Sequence, residues 1–272
     1  MSTYEFYEFI ALDRILDLKE QAALRAISSR AEISATRFWN EYSFGSFKGN
    51  PVTFLEGYFD AHVYFANWGT YTFMLGLPIE AVDPELCRRY LPGELTHVSK
   101  KAGRIVLSLT RSEDGADYVN DENWMSQLLP LRGEIIAGDL RPLYLGWLAA
   151  ISDEHGPIEG DEPPVPAGLK LLTSAQRALV EFLRIPRALV KEAANASPPA
   201  VKSAKVDVEG WVKTLTPARM REIILKLLTA EPGVLKSRLM IEVQRGSDNP
   251  IPTAPGSRHS DALLQAVRGD TQ

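Results

Sequence analysis

The sequence has very little cysteine, no paired histidines and no long apolar run, and each shortage excludes a class of protein. Cys87 is the only cysteine, so neither a disulfide within the chain nor a cysteine-rich zinc site can form. None of the four histidines belongs to a His-x-x-x-His pair, and we expect no metal site. No segment has the length of a membrane span, and Glu5 and Glu8 lie where a secretory signal needs positive charge. We therefore expect a cytoplasmic protein that does not bind membranes.

Signatures of nucleotide-binding proteins and hydrolases are missing as well. The sequence contains no Gly-x-Ser-x-Gly nucleophile elbow and neither of the glycine-rich phosphate loops GxxxxGK[ST] and GxGxxG. We therefore expect no cofactor, and the missing motifs favour a non-enzymatic protein. The net charge of −5 argues against binding of nucleic acid by the whole molecule, because such binding needs a basic excess.

The first part of the chain alternates between strand and helix patterns. Aromatic and alternating apolar segments predict strands at 4–11, 35–45, 70–77 and 103–110. Asp17 and Glu20 have the spacing of a capping box, and further helices are expected to begin at Pro51 and Pro84. The helix from Pro51 is expected to carry an apolar stripe formed by Leu55, Tyr58, Phe59, His62 and Phe65. These elements predict an α+β domain over 1–115, with a small mixed sheet and two or three helices.

The second half is predicted to be mainly α-helical. Apolar residues recur there with the period of a helix, most clearly at Leu140, Leu143, Tyr144, Trp147, Leu148 and Ile151. We expect a helical domain over 120–195, which contains an acidic, proline-rich loop at 153–168 and a helix beginning near Thr173. A linker at 195–207 precedes a helical hairpin at 208–245. The tail at 246–272 is expected to be disordered apart from the amphipathic segment ALLQAV.

The segment AGDLRPLYLGW, residues 137–147, has two interpretations. In one, Gly138 ends a helix, Asp139 caps the next helix and Pro142 lies in its first turn, while the aromatic residues fill the core. In the other, a single kinked helix brings Arg132 beside Asp139. The first is better supported, because it explains all three residues. A ligand or partner site in this region would use the polar and aromatic groups Arg132, Asp139, Arg141, Tyr144, Trp147 and Trp68.

The segment 201–245 is basic within an acidic chain. It contains nine Lys or Arg against five Asp or Glu. Basic helices can follow a phosphate backbone, and the candidate nucleic-acid contacts are Lys213, Arg219, Arg221 and Lys226. An ordinary solvated helix face explains the same charges, since Glu222 and Lys226 have the spacing of an ion pair.

Four segments carry a resemblance: LRAISSRAEISATRFWNEYSFGSFKGNP, YFDAHVYFANWGT, GDLRPLYLGWL and EPPVPAGL. They resemble a family of uncharacterised bacterial proteins, and the likeness covers residues 4–195. The resemblance implies a bacterial cytosolic protein, and it implies no activity, ligand or catalytic residue.

The leading hypothesis is a non-enzymatic interaction or assembly protein that binds another protein. One alternative is an enzyme or small-molecule sensor with a pocket between the two halves of the chain. A second alternative is a nucleic-acid-associated protein that uses the basic C-terminal helices.

Overall fold

The computed structural model describes residues 4–43, 45, 47–114, 123–200, 208–229, 239, 243 and 253–269. Its strands are β1 (Glu5–Ile10), β2 (Glu32–Ile33), β3 (Arg37–Tyr42), β4 (Ala61–Ala66), β5 (Thr70–Pro78), β6 (Thr96–Ser99), β7 (Arg104–Ser112), β8 (Val165–Pro166) and β9 (Thr253–Ala254). Its helices are α1 (Leu18–Ile27), α2 (Pro51–Gly57), α3 (Pro84–Tyr90), α4 (Trp124–Leu128), α5 (Pro130–Ile136), α6 (Arg141–Ile151), α7 (Ser174–Phe182), α8 (Arg187–Asn195), α9 (Val208–Thr214), α10 (Pro217–Thr229) and α11 (Ser260–Gly269). The α+β class and the helical second half are therefore as predicted.

The first seven strands form one sheet in the order β2-β3-β1-β4-β5-β7-β6. Every pair in this sheet is antiparallel. The predicted small mixed sheet is thus wrong in strand direction and in size. Parallel neighbours need a crossover of a dozen or more residues, whereas three residues join β4 to β5 and four join β6 to β7.

The helix predicted from Pro51 is shorter than expected. It ends at Gly57, and His62 and Phe65 lie instead on β4, which pairs with β1 on one side and β5 on the other. A short apolar run fits a helix or a buried strand equally well. Here the segment forms a strand because it pairs with both β1 and β5. His62 stacks on Phe9 with 3.8 Å between ring centres, and burial lowers its pKa to about 3. It is therefore a neutral core residue.

The sheet separates two hydrophobic cores. On one face, aromatic residues such as Phe9, Phe38, Phe54 and Phe59 pack together beneath α2. On the other face, apolar residues of the sheet and of the helices from α4 to α8 form one continuous core. Gly146 of α6 lies so close to β7 that an added Cβ would come within 2.9 Å of Leu109. The seven-stranded sheet ends before the predicted boundary near 115–120, and residues on either side of that boundary share one core.

The tail that was expected to be disordered apart from ALLQAV contains a short strand, β9, as well as the helix α11. Strand β9 pairs with β8, and α11, which includes ALLQAV, packs on α8. We call residues 253–269 the strap. Residues 246–252 and 270–272 lie outside the described part of the chain. The predicted hairpin at 208–245 is described only as α9, α10 and two isolated residues, Leu239 and Val243.

Candidate interaction surface

The predicted break at Gly138 is present, but the N-cap residue of α6 is Leu140 and not Asp139, which lies one residue earlier and fixes the turn through its side chain. Gly138 has φ of +83°, the left-handed conformation that glycine adopts freely. The Asp139 carboxylate accepts hydrogen bonds from the backbone N–H of Arg141 at 3.0 Å and from its Nη2 at 2.6 Å. It also accepts one from Gln176 Nε2 at 3.0 Å. These bonds join the start of α6 to α7, so Asp139 has a structural role.

Arg132 lies in a different network, at the junction of α5 and the sheet. Its Nε donates to the Gly76 carbonyl oxygen at 3.3 Å, and its Nη2 forms an ion pair with Asp13. The kinked helix that would bring Arg132 beside Asp139 is therefore not formed, because the left-handed residue at 138 ends α5.

Asp60 is the central acid of this second network. It is 1% exposed, forms an ion pair with Arg104 and lies 3.9 Å from Arg132 Nη2. Its Oδ2 accepts the backbone N–H groups of Leu12 and Asp13 at 2.6 and 2.8 Å. Burial alone would raise the pKa of Asp60, but the two guanidinium groups and the two N–H groups hold it below its ordinary value. Burial raises the pKa of the neighbouring Asp13.

The three aromatic candidates are not brought together around a ligand. Tyr144 donates its hydroxyl to Glu162 Oε1 at 2.6 Å, and Trp147 is buried in the core. Trp68 is 44% exposed in the turn between β4 and β5. Gly76, which Arg132 contacts, lies at the far end of β5, about 20 Å from that turn at the rise of a strand. The six candidate residues therefore occupy four separate places, and no common site links them.

The uncovered apolar surface lies elsewhere, on α9 and α10. We call residues 208–229 the arm. Its exposed large apolar side chains are Val208, Val212, Met220, Ile224, Leu225, Leu227 and Leu228. Those of α10 include Met220, Ile224, Leu227 and Leu228, whose spacing of three and four residues places them on one side of the helix.

Three of the four candidate nucleic-acid contacts are described on the arm. Lys213 and Arg221 are exposed, whereas Arg219 donates to Glu222 Oε2 at 2.6 Å. The side chain of Lys226 lies outside the described part of the chain. The basic groups thus share two short helices with the apolar side chains.

Both ends of the segment that contains the arm are fixed to the same short strand, β8. Before the arm, Ser197 Oγ donates to the Pro166 carbonyl oxygen at 2.7 Å, and Gly168 N–H donates to Pro198 O at 2.9 Å. After it, Thr253 pairs with Pro166. The chain therefore contacts β8 both before and after the arm.

Glu162 and Arg258 hold the strap, and sequence reasoning missed both. Arg258 Nη2 and Nε donate to the two oxygens of Glu162 at 2.6 and 3.0 Å, and Arg258 Nη1 donates to Glu192 at 3.2 Å. Burial alone would raise the pKa of Glu162, but the hydrogen bonds from Arg258 and Tyr144 hold it below its ordinary value. The sequence predicted only an acidic, proline-rich loop at 153–168 in this region.

Comparisons with known proteins add no family to this picture. No protein-family model, curated protein or solved structure matches the chain. Among the described residues, no three His, Cys, Asp or Glu side chains are grouped so as to hold a metal ion. In the same part of the chain, no helix has the length and apolarity needed to cross a membrane. Function must therefore be argued from the surface of this chain.

Proposed function

We propose that this chain is a non-enzymatic interaction protein of the bacterial cytosol and that its arm binds another protein. One observation carries the proposal. Twelve large apolar side chains are exposed in the described part of the chain, and seven of them belong to the arm. Contiguous apolar surface on a protein commonly marks a site that a partner covers.

The chemistry of the arm indicates what kind of partner fits. Apolar residues at intervals of three and four on α10 are the anchors with which an amphipathic helix enters a hydrophobic groove. The arm has four basic and two acidic residues, whereas the whole chain has a net charge of −5. We therefore expect a protein partner with an apolar groove that is bordered by carboxylates.

The two alternative functions have less support. A pocket enzyme would use Arg132, Asp139 and Arg141, but these side chains are engaged in structural hydrogen bonds and ion pairs. A nucleic-acid-binding protein would use the basic groups of the arm. They lie beside exposed leucines on a chain that is acidic overall, a poor combination for contact with phosphates.

The test compares the full chain with the variant Ile224→Asp/Leu228→Asp. The control is Leu18→Asp/Leu171→Asp, which changes two leucines that are 84% and 69% exposed on the body. A partner protein is first captured from the native host, purified and identified. Its affinity for the arm variant should be at least tenfold lower than for the full chain, and its affinity for the control variant should be unchanged. All three proteins should unfold at the same temperature, because the changed side chains are exposed. Equal affinities would overturn the proposal, and salt-sensitive retention on DNA that is lost in the arm variant would favour nucleic acid.

A further inference from the structure

A groove on the body has the chemistry that the arm requires. It lies between the acidic, proline-rich loop and α11, and its volume is about 210 Å³. Apolar side chains of Ile151, Ile158 and Leu264 line it, together with the carboxylates of Glu159 and Asp261. No Lys, Arg or His is among its lining residues, and the imidazole of His259 lies next to the groove, 3.6 Å from Asp261 Oδ2.

The strap builds one wall of this groove and holds it in place. Ser260 N–H donates to the Gly160 carbonyl oxygen at 3.0 Å, and Gly160 N–H donates to Ser260 Oγ at 3.4 Å. Two residues earlier, Arg258 binds the buried Glu162. These two contacts, Ser260 with Gly160 and Arg258 with Glu162, fix the loop to the strap. The groove is therefore formed before anything binds.

Size and charge match the groove to the arm. A cavity of about 150 Å³ accommodates a benzene ring, so this groove has room for one or two side chains of leucine size. Ile224 and Leu228 of α10 are one turn apart, and Arg221 lies on the same helix. The groove supplies an apolar lining with two carboxylates, and α10 supplies an apolar stripe with a guanidinium group beside it.

We propose that the groove binds α10 of a second copy of this chain, and that two copies exchange their arms in a symmetric dimer. In the structure, Ile224 and Leu228 of the chain itself are 55% and 76% exposed, so they do not fill its own groove. In a dimer with a twofold axis, the arm of each copy would lie in the groove of the other copy. Both arms and both grooves would then be covered. The inference rests on the proposed function, since it identifies the partner of the arm.

A mixing experiment tests whether the contact forms between two chains. The full-length variants Asp261→Cys and Arg221→Cys are mixed and oxidised, and the native Cys87 does not interfere because it is 1% exposed. We expect a disulfide-linked product of twice the 30.2 kDa chain mass. The matched control pairs Arg221→Cys with Glu94→Cys, a similarly exposed carboxylate on the body. No excess of linked product over this control would overturn the inference.

Charge reversal gives a second, independent measurement by sedimentation. We expect the full chain to sediment as a dimer, and we expect Asp261→Arg and Arg221→Glu each to weaken dimerisation at least tenfold. The double variant should recover most of that loss, and Glu94→Arg should dimerise normally. A monomeric full chain overturns this inference alone if Ile224→Asp/Leu228→Asp still abolishes binding of a different protein. If that variant changes neither dimerisation nor any binding, the proposed function fails too.

Discussion

The hydroxyl of Tyr144 on α6 donates to the carboxylate of Glu162 over 2.6 Å, and it connects the centre of the helical core to the residue that binds the strap. Glu162 is fully buried and accepts two further bonds from Arg258. Loss of its charge would therefore weaken hydrogen bonds both to the core, through Tyr144, and to the strap, through Arg258.

Glu162→Gln should lower the free energy of unfolding by about 2 kcal/mol at pH 7, because hydrogen bonds to a charged group are lost. The pKa of Glu162 in the folded protein lies below its ordinary value of 4.5. Its stabilising contribution is thus complete above pH 4.5 and is lost as the pH falls through the folded-state pKa. Urea unfolding between pH 3 and 7 should show that the free energies of unfolding of the two proteins become equal only at acidic pH. A difference that does not depend on pH would contradict this assignment.

Gly256→Ala should detach the strap. An added Cβ at this position would overlap the carbonyl oxygen of Glu162 and the backbone of Pro163, neither of which can move aside easily. We expect amide hydrogen exchange in α11 to become at least tenfold faster. Gly156→Ala is the control, because nothing lies within 4 Å of its added Cβ. Identical exchange in the two variants would show that the strap does not need this glycine.

Asp60→Asn should be severely destabilising. The substitution leaves Arg104 beside a neutral amide, while Arg132 keeps its ion pair with Asp13, and breaking a buried ion pair in this way costs about 3–5 kcal/mol. Asp114→Asn changes a side chain that is 82% exposed and should alter stability by less than about 0.5 kcal/mol. Chemical unfolding of both variants checks the prediction. A loss below about 1 kcal/mol at Asp60 would show that the network is not needed.

Glu8→Met should stabilise the protein at neutral pH. One oxygen of the buried Glu8 has no hydrogen-bond partner among the described residues, and burial raises the pKa of this carboxyl despite its ion pair with Arg37. A raised pKa means that ionisation costs stability as the pH rises from 4.5 through the folded-state value. We expect a gain of about 1 kcal/mol at pH 7 that shrinks as the pH falls through the folded-state pKa and is absent below pH 4.5. Arg37 is half-exposed and stays hydrated, so a destabilised variant would refute the argument.

Asp139→Ala separates structure from binding. Removal of the carboxylate breaks bonds to the backbone of Arg141 and to Gln176, which should cost about 1–3 kcal/mol. Partner binding by the arm should be unchanged when it is measured below the unfolding temperature. Normal stability with lost binding would move the functional site to this turn.

Local signals in the sequence predicted the elements that depend on neighbouring residues. The capping box of Asp17 and Glu20, the short helix beginning at Pro84 and the helix beginning near Thr173 are all confirmed. Strands β2 and β6 were missed, because two and four residues are too short to show a period. They are stabilised by pairing with strands that the sequence alone does not place beside them.

The buried ion pairs were beyond sequence reasoning for a different reason. Arg132 and Asp13 are 119 residues apart in the chain, and Arg258 and Glu162 are 96 apart. No spacing rule covers such distances, and only the order of strands and helices brings these charges together. The arm was predicted in part. The spacing of its apolar residues and its basic residues can be read from the sequence, but the sequence does not show that the apolar side chains are exposed.

The common anchorage of the arm on β8 has a consequence for the integrity of the molecule. Ser197 and Thr253 both contact Pro166 of β8, so a protease that cuts once between residues 208 and 229 would leave the C-terminal fragment attached to the body through β9 and α11. The nicked protein would migrate as one particle until it is denatured. The same closure allows that stretch to be lengthened, shortened or replaced by a few glycines without disturbing the fold beneath it.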